Sequence, residues 1–234
     1  MVLLVDTTVC RLCKNKILLN ILMVFFVCSC NQTNEVVQKN VVVQNEALPF
    51  YNTADFDAEW INENDSNYNR IHTIENFSLQ NQLGDTITKD SLNGCIYLAN
   101  FFFTSCSGIC PKMTNNLNIL QETVAQNNQI KIVSFSVMPW TDSVEKLNEY
   151  GKLNNINPLK WYLLTGDKEQ IYQLARTSFF AEKRLGLQKK TDEFLHTESM
   201  LLIDKKGRIR GIYNATQIPD VERVTDDIKV LLNE

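Results

Sequence analysis

Hydrophobic residues in the C-terminal part of the chain follow the periods of strands and helices in turn. The run Ile96–Phe103 is almost wholly apolar, which is typical of a strand buried on both faces. Ile130–Val137 predicts the next strand, and Trp161–Leu164 predicts a short third one. Between the first two, apolar residues three and four positions apart predict an amphipathic helix over Lys112–Gln126. Strands that alternate with helices imply crossover connections and therefore a parallel component in the sheet.

The remaining pattern adds further elements around these strands. Asn76–Lys89 predicts a β-hairpin, and Ser199–Tyr213 predicts a second one. Asp142, with Glu145 three residues later, predicts a capping box at the start of a helix, and Pro219 opens the last helix. The order of elements predicts the α/β class: a thioredoxin-like fold whose mixed central sheet is flanked by helices and carries an added N-terminal hairpin.

The N-terminal residues have the pattern of a targeting segment. Positive charges precede the apolar run Ile17–Ser29, which is too short to span a bilayer comfortably and suits a signal-peptide core. The run leads into Cys30 in a context that resembles a bacterial lipobox. We therefore expect a signal peptide over residues 1–30, a polar tether over 31–47 and a folded domain over 48–234. The alternative is that the same residues stay uncleaved as a membrane anchor. A lipoprotein and an anchored protein would both have the folded domain outside the cytoplasm, held at a membrane of the cell envelope or periplasm.

Composition and charge narrow the function classes. The 234 residues are 44% hydrophobic and 21% charged, as in an ordinary globular protein. The net charge of −4 and the lack of a basic stripe argue against a nucleic-acid partner. If Cys30 carries lipid, Cys95, Cys106 and Cys110 are the cysteines that remain in the mature chain. An odd number argues for a reactive or metal-binding set over a purely structural disulfide framework, and we expect Cys95 to be a small buried hydrophobe.

Cys106 and Cys110 carry the main candidate chemistry. They lie between a predicted strand and a predicted helix, where the helix dipole stabilises thiolates. Their i,i+4 spacing allows both sulfurs to bind one ion at about 2.3 Å each. His196, in the loop Ala181–Thr197, is the candidate third ligand, although a loop histidine is often merely solvated. Two sulfurs and one nitrogen favour copper over magnesium or calcium, whereas zinc usually takes a fourth ligand.

Other roles for the same cysteines stay open. The pair can form a short structural disulfide, which would stabilise the fold little because it closes a small loop. It can also serve as the redox pair of a thiol–disulfide oxidoreductase, which requires a depressed thiol pKa but no histidine. A redox or copper sensor that signals through a partner is a third possibility, although the sequence shows no output domain.

Several motifs resemble those of the Sco/SenC family of copper chaperones. The stretch Asn100–Met113 contains the family's C-x-x-x-C-P pattern, and Phe194–Tyr213 contains its distant histidine before a Leu-Ile-Asp…Gly hairpin. Ser136–Ser143 and Trp161–Gly166 are similar as well, and the resemblance covers about Leu48–Glu234.

The resemblance implies a function in the assembly of a respiratory oxidase. Family members have a thioredoxin-like fold and bind copper, as Cu(I) or Cu(II), through two cysteines and one histidine. Carried over, the ligands are Cys106, Cys110 and His196, with the two cysteines also forming the redox pair. The implied partners are a thiol reductant and the copper-site subunit of a terminal cytochrome oxidase. Copper would be delivered to this subunit, or its copper-site thiols would be reduced. The predicted membrane contact is through lipid on Cys30.

The chain departs from the family pattern at three positions near the predicted site. Met138 stands where an aspartate is common, Thr141 where an arginine is common, and Leu195 where an acidic residue often precedes the histidine. Changed charges around ligands alter metal affinity or redox potential. Four acidic residues remain as candidate substitutes: Asp142, Asp192, Glu193 and Glu198.

Overall fold

The structure, a computed structural model, describes residues 47–181 and 198–234. In chain order its strands are β1 (Phe50–Tyr51), β2 (Ala58–Glu59), β3 (Ser78–Gln80), β4 (Thr86–Thr88), β5 (Ile96–Phe102), β6 (Ile130–Ser136), β7 (Trp161–Leu164), β8 (Ser199–Ile203) and β9 (Ile209–Asn214). The helices are α1 (Cys110–Thr123), α2 (Val144–Leu153), α3 (Lys168–Gln173) and α4 (Ile218–Asn233). A π-helical turn, Leu174–Ser178, continues α3.

A five-stranded mixed sheet with the order β7-β6-β5-β8-β9 forms the centre of the fold. The strands β5, β6 and β7 are parallel, with Ile96 beside Ile130 and Ile132 beside Trp161. The hairpin β8–β9 joins the other side, and β8 runs antiparallel to β5. This confirms the predicted thioredoxin-like class with a mixed sheet flanked by helices.

Strand β5 is apolar throughout because both of its faces are covered. Ile96 and Leu98 belong to the core on the side of α1 and α4, whereas Tyr97 and Phe101 belong to the core that includes residues of α3. All of its residues are buried. A strand in such a position has no solvent face, so its sequence shows a continuous apolar run where an edge strand would alternate.

The added hairpin β3–β4 is present and packs on the second of these cores. Its Leu79 is buried, and Gln80 forms a β-bridge with Thr165, after the end of β7. At the neighbouring Gly166 a Cβ atom would lie 2.7 Å from Leu79 Cδ2, so glycine permits the close approach of hairpin and loop. The short pair β1–β2 precedes it and was not predicted, because two-residue strands leave no periodic signal.

Two helix starts differ from the predictions. Helix α1 begins at Cys110, two residues earlier than expected, with Pro111 in its first turn. Helix α2 is capped by Ser143, whose Oγ accepts a hydrogen bond from the backbone N–H of Lys146 at 3.3 Å. The predicted cap, Asp142, is fully buried and binds other groups, so that prediction was wrong by one residue. Both residue types cap helices well, and only the tertiary contacts of the aspartate distinguish them.

No helix within residues 47–181 and 198–234 is both long enough and apolar enough to cross a membrane. The predicted signal peptide, the predicted lipidation site Cys30 and all but the last residue of the predicted tether lie outside the described residues.

Candidate metal and thiol site

The two cysteines lie where β5 gives way to α1. Cys106 is partly exposed in the turn after the strand, and Cys110 is buried as the first residue of the helix. Both are free thiols. The turn extends from the carboxyl end of β5, at the same edge of the sheet as the carboxyl ends of β6 and β7, because the three strands are parallel. Ligands and catalytic groups of open α/β sheets gather at this edge.

The two thiols have opposite shifts in pKa. Burial acts to raise the pKa of Cys106, but hydrogen bonds from the Cys110 backbone N–H, the Cys110 thiol and the N–H groups of Gly108 and Ile109 outweigh it and lower the pKa. Burial is also the largest influence on Cys110 and, with the hydrogen bond to Cys106 and the charge of that sulfur, raises its pKa to about 12. The two shifts are consistent with each other, since the Cys106 sulfur accepts a hydrogen bond that the Cys110 thiol donates. Cys106 is therefore the more acidic of the two thiols, and the Cys110 thiol donates a hydrogen bond to it.

The buried carboxylate of Asp142 forms hydrogen bonds with the cysteine turn. Asp142 Oδ2 accepts a hydrogen bond from the Thr104 backbone N–H at 3.1 Å, and Oδ1 accepts one from Thr104 Oγ1 at 2.5 Å. Ser136 Oγ donates to the same carboxylate at 2.6 Å. Thr104 lies two residues before Cys106, so the hydrogen bonds of Asp142 to Thr104 and to Ser136 join the cysteine turn to the end of β6. Hydrogen bonds that involve a charged acceptor are short and strong, which makes this link rigid.

Met138 lies in the tight turn that follows β6 and leads to Asp142. It stands where the Sco/SenC pattern described above commonly has an aspartate. The backbone carbonyl of Met138 accepts hydrogen bonds from the N–H groups of Thr141 and Asp142, both at 2.9 Å. The backbone N–H of Met138 donates to Ser136 Oγ at 3.2 Å. Two of the candidate substitutes for the missing charges, Asp142 and Glu198, lie within the described residues, and Asp142 is hydrogen-bonded to Thr104 of the cysteine turn. Glu198 accepts a hydrogen bond from Asn214 Nδ2 at the end of β9.

Tyr150 of α2 forms part of the wall beside the cysteines. It packs against the core cluster that contains Cys110, its ring centre lies 5.6 Å from that of Phe102, and its hydroxyl forms a hydrogen bond of 2.8 Å with Thr114 Oγ1. Burial raises the pKa of Tyr150, the Thr114 hydrogen bond opposes this, and the charges of Cys110 and Cys106 add to the rise. Sequence reasoning found Tyr150 only as a residue on the apolar face of a helix, and spacing alone does not reveal its proximity to the sulfurs.

The predicted third ligand cannot be compared with the cysteines, because His196 lies outside the described residues, as do Leu195, Asp192 and Glu193. Within the described ranges, no group of three or more histidine, cysteine or acidic side chains is placed to hold a metal. The dithiol therefore supplies two soft donors, which fit a soft ion such as Cu(I).

Cys95 differs from its prediction as a buried hydrophobe, since it is half-buried and free. It precedes β5 and its backbone N–H donates to Leu92 O, so it belongs to the turn that enters the strand. The packed interior begins one residue later, at Ile96.

A cavity of about 520 Å³ among the described residues lies away from the cysteines. Asp204, which follows β8, lines it, and β8 runs antiparallel to β5, so this cavity lies toward the amino end of β5. Its buried charges are paired with one another: Asp204 Oδ2 lies 2.7 Å from Arg208 Nε and 3.4 Å from an Arg210 nitrogen. The paired charges and the distance from the thiols make the cavity a weaker candidate for chemistry than the cysteine turn.

The fold and the cysteine turn together define a thioredoxin-like protein with a dithiol between its first central strand and the following helix. Comparison with known proteins gives the family. The SCO1/SenC family model matches residues 65–233, which is more than half of the chain. The chain belongs to the SCO1/SenC family, whose Sco members are cytochrome c oxidase assembly proteins.

Individual relatives agree with this assignment. The "SCO1 protein homolog" of Bacillus subtilis is 32% identical over 162 residues, which cover 68% of this chain and 82% of that protein. The crystal structure of a SCO1/SenC family lipoprotein from Bacillus anthracis is 28% identical, with a TM-score of 0.60 over 69% of this chain and 95% of that one. The copper-bound crystal structure of Arabidopsis thaliana ScoI is 28% identical, with a TM-score of 0.55 over 68% of this chain and 98% of that one.

Proposed function

We propose that this chain is a membrane-tethered copper chaperone that assists the assembly of a respiratory cytochrome oxidase. The observation that carries the proposal is the pairing of a thiolate-favouring Cys106 with the buried thiol of Cys110 at the β5–α1 junction. The copper-bound structure of a relative and the assembly role of the Sco family support copper as the cargo. The tether is supported by the apolar N-terminal run, by the lipobox-like Cys30 and by the lipoprotein relative.

Copper binding would proceed through the two sulfurs in order. Cys106 presents the more acidic thiol and meets the ion first. Cys110 must then lose its proton to become a second thiolate ligand, so binding releases a proton and weakens as the pH falls. His196 is the proposed third ligand, and the thiolates of the recipient would displace the protein's own sulfurs one at a time.

Thiol oxidation would control whether the site can hold copper. When an oxidising disulfide of a partner accepts two electrons and two protons from Cys106 and Cys110, an intramolecular disulfide forms and both sulfur ligands are lost. A thiol reductant reverses the step. Copper loading and thiol redox state are therefore coupled.

A second function, thiol–disulfide exchange on the copper-site thiols of the oxidase subunit, is favoured by the lowered pKa of Cys106. The same cysteines would act without copper, with Cys106 attacking a disulfide sulfur of the partner and Cys110 resolving the mixed disulfide.

Copper titration of the reduced mature protein in detergent micelles tests the main proposal. We expect a single copper ion per chain, loss of binding in Cys106→Ser and a large loss of affinity in His196→Ala. The dithiol of His196→Ala should still be oxidised normally, which separates a ligand role from a folding role. Unchanged copper affinity in His196→Ala would remove the histidine from the ligand set, whereas rapid disulfide exchange without any copper binding would favour the second function.

A further inference from the structure

The cavity beside the turn between β8 and β9 has the size and lining of a small-molecule site. Its volume of about 520 Å³ lies within the range of about 300–1,000 Å³ that is typical of such sites. Leu48, Trp60 and Ile61 form an apolar part of its lining. All three keep some exposure to solvent, and Trp60 is 68% exposed, so they can contact a ligand without a change in the packed core. Arg208 also lines this space, which we call the Arg208 cavity.

The two arginines of the cavity wall differ in how far the protein satisfies them. The Arg210 guanidinium donates to the two oxygens of Glu234, at 2.6 and 2.9 Å, and to two backbone carbonyls. Arg208 donates through Nε to Asp204 Oδ2 at 2.7 Å, and its side chain is 9% exposed. The contacts of Arg210 therefore account for its burial, whereas those of Arg208 Nε leave the two terminal nitrogens of that guanidinium to be explained.

The terminal nitrogens of Arg208 have donors to spare. Burial acts to lower the pKa of Arg208, but a hydrogen bond with Tyr68 and the charge and hydrogen bond of Asp204 outweigh it and raise the pKa, so the group stays charged. A guanidinium has more N–H groups than these two acceptors use. No fully enclosed side-chain nitrogen or oxygen of the described residues lacks a hydrogen-bond partner, so a terminal nitrogen without one must be open to the cavity.

The charges on the cavity wall leave one positive charge in excess, since four cationic residues face three carboxylates. The carboxylates of Asp204 and Glu234 are bound by the two arginines. The carboxylate of Glu63 lies 3.9 Å from Lys206 Nζ. Lys205 is half-buried and forms no ion pair within the described part of the chain. A single negative charge would therefore balance the wall.

We propose that the Arg208 cavity binds an organic monoanion, a molecule with one oxyanion group on an apolar body. The oxyanion accepts hydrogen bonds from the free N–H groups of Arg208 and is attracted by Lys205. Guanidinium groups suit carboxylate and phosphate oxygens because their planar set of donors matches the spacing of those oxygens. The apolar body lies against Trp60 and Ile61. The cavity lies toward the amino end of β5, away from the cysteine turn, so this proposal does not depend on copper binding.

Fluorescence of Trp60 tests the proposal on the mature protein in nanodiscs of zwitterionic lipid. Trp140→Phe removes the other exposed tryptophan among the described residues, and Trp161 is buried, so the response to a ligand reports on Trp60. The probes are cyclohexanecarboxylate and its neutral counterpart cyclohexanemethanol, which share the apolar body and differ in charge. We expect the acid to shift the emission to the blue in a saturable way and to bind about tenfold more tightly than the alcohol.

Variants in this Trp140→Phe background identify the groups that hold the anion. Arg208→Gln should weaken binding of the acid about tenfold and leave the alcohol unchanged. Arg208→Lys keeps the charge without the planar donors and should lie between the two. Lys205→Gln should weaken the acid about threefold; it tests the site without touching the buried Asp204 pair. Urea unfolding of each variant shows whether it is folded under the conditions of the titration.

Lys131 provides the matched control for Lys205. It lies outside the cavity lining, with Nζ 5.6 Å from the centre of the Tyr162 ring and 2.7 Å from the backbone carbonyl of Leu159. Lys131→Gln should leave the affinity for the acid unchanged.

Nanodiscs that contain phosphatidylglycerol distinguish a free organic acid from an acidic lipid. A blue shift from this lipid alone that Arg208→Gln abolishes supports the site and assigns the anion to the membrane. A lipid-induced shift that persists in Arg208→Gln shows simple membrane contact of Trp60 and overturns the proposal. The proposal is also overturned if neither probe gives a saturable shift, if the alcohol binds as tightly as the acid, if folded Arg208→Gln binds the acid like its parent, or if Lys131→Gln weakens binding as much as Lys205→Gln.

Discussion

Removal of the Asp142 carboxylate should weaken both the fold and the cysteine site. The side chain is fully buried and accepts hydrogen bonds from the Thr104 backbone, the Thr104 hydroxyl and Ser136. In Asp142→Ala these three donors lose their acceptor at a site that is screened from water, so their hydrogen bonds are left unsatisfied. Each unsatisfied buried group costs about 1–3 kcal/mol, and partial relaxation brings the expected loss in free energy of unfolding to about 3–5 kcal/mol.

Asp142→Asn separates charge from shape. The amide oxygen can replace Oδ2 and still accept from the Thr104 N–H and from Ser136, while the Thr104 hydroxyl turns to accept from the amide NH2 group. The network then keeps its geometry and loses only the strength that the charge adds. We expect a loss of about 1–2 kcal/mol, clearly smaller than for alanine.

Urea unfolding of the reduced full chain measures these differences, and alkylation of Cys106 reports on the site. Loss of the Thr104 anchor should loosen the turn that positions the Cys106 sulfur and change its alkylation rate in Asp142→Ala more than in Asp142→Asn. Asp226 is exposed and, within the described residues, pairs with Lys229 at 2.7 Å; it is the matched control, and Asp226→Ala should cost less than about 0.5 kcal/mol. A loss below about 1 kcal/mol in Asp142→Ala, with unchanged alkylation of Cys106, would refute the view that this carboxylate holds the turn.

Three further predictions concern a cap, a thiol and a buried cation. Ser143→Ala removes the side-chain cap of α2 and should lower the free energy of unfolding by about 1 kcal/mol in urea, whereas Ser143→Asp should restore it. The folded-state pKa of Cys110, about 12, lies above the ordinary value of 9.0, so the stability contributed by the buried neutral thiol is complete below pH 9 and is lost as the pH rises toward 12. The free energy of unfolding should therefore fall less between pH 8 and pH 10.5 in Cys110→Ala than in the wild type. Equal falls in the two proteins would contradict the raised pKa of Cys110. Arg210, 2% exposed, pairs with Asp204 and Glu234, so Arg210→Ala should cost about 3 kcal/mol or more on thermal or urea unfolding, and a near-neutral result would show that Arg208 alone satisfies Asp204.

The sequence predicted the central elements well because their burial leaves strong patterns. Strand β5 was expected over Ile96–Phe103 and ends one residue earlier, and the hairpin β3–β4 lies within the predicted segment. Both cysteines were correctly placed at a strand–helix junction, since an apolar run followed by a C-x-x-x-C-P motif and helical spacing marks one. The starts of α1 and α2 were displaced by one or two residues, as local capping signals are shared by neighbouring residues.

The partners of the site residues were beyond the reach of sequence patterns. Asp142 was interpreted as a helix cap because its local context fits one, yet its carboxylate bonds to Thr104, 38 positions away. Tyr150 and Trp140 look alike as aromatic residues in or near helix α2, but one is packed against the dithiol cluster and the other is exposed to solvent. The hydrogen-bond partners and the exposure of these side chains depend on which strands and helices become neighbours in the fold. The pattern of residues along the chain carries little information about those neighbours.

By itself, the sequence determined the family, the α/β order of elements and the two sulfurs that carry the chemistry, because these depend on residue type and near-neighbour spacing. Only the tertiary structure decided that the two thiols differ in acidity. The Cys106 sulfur collects hydrogen bonds from N–H groups at the start of α1, while Cys110 is enclosed in the core and keeps its proton. The free energy of a charge depends on how the folded chain solvates it, and that is a property of the three-dimensional arrangement.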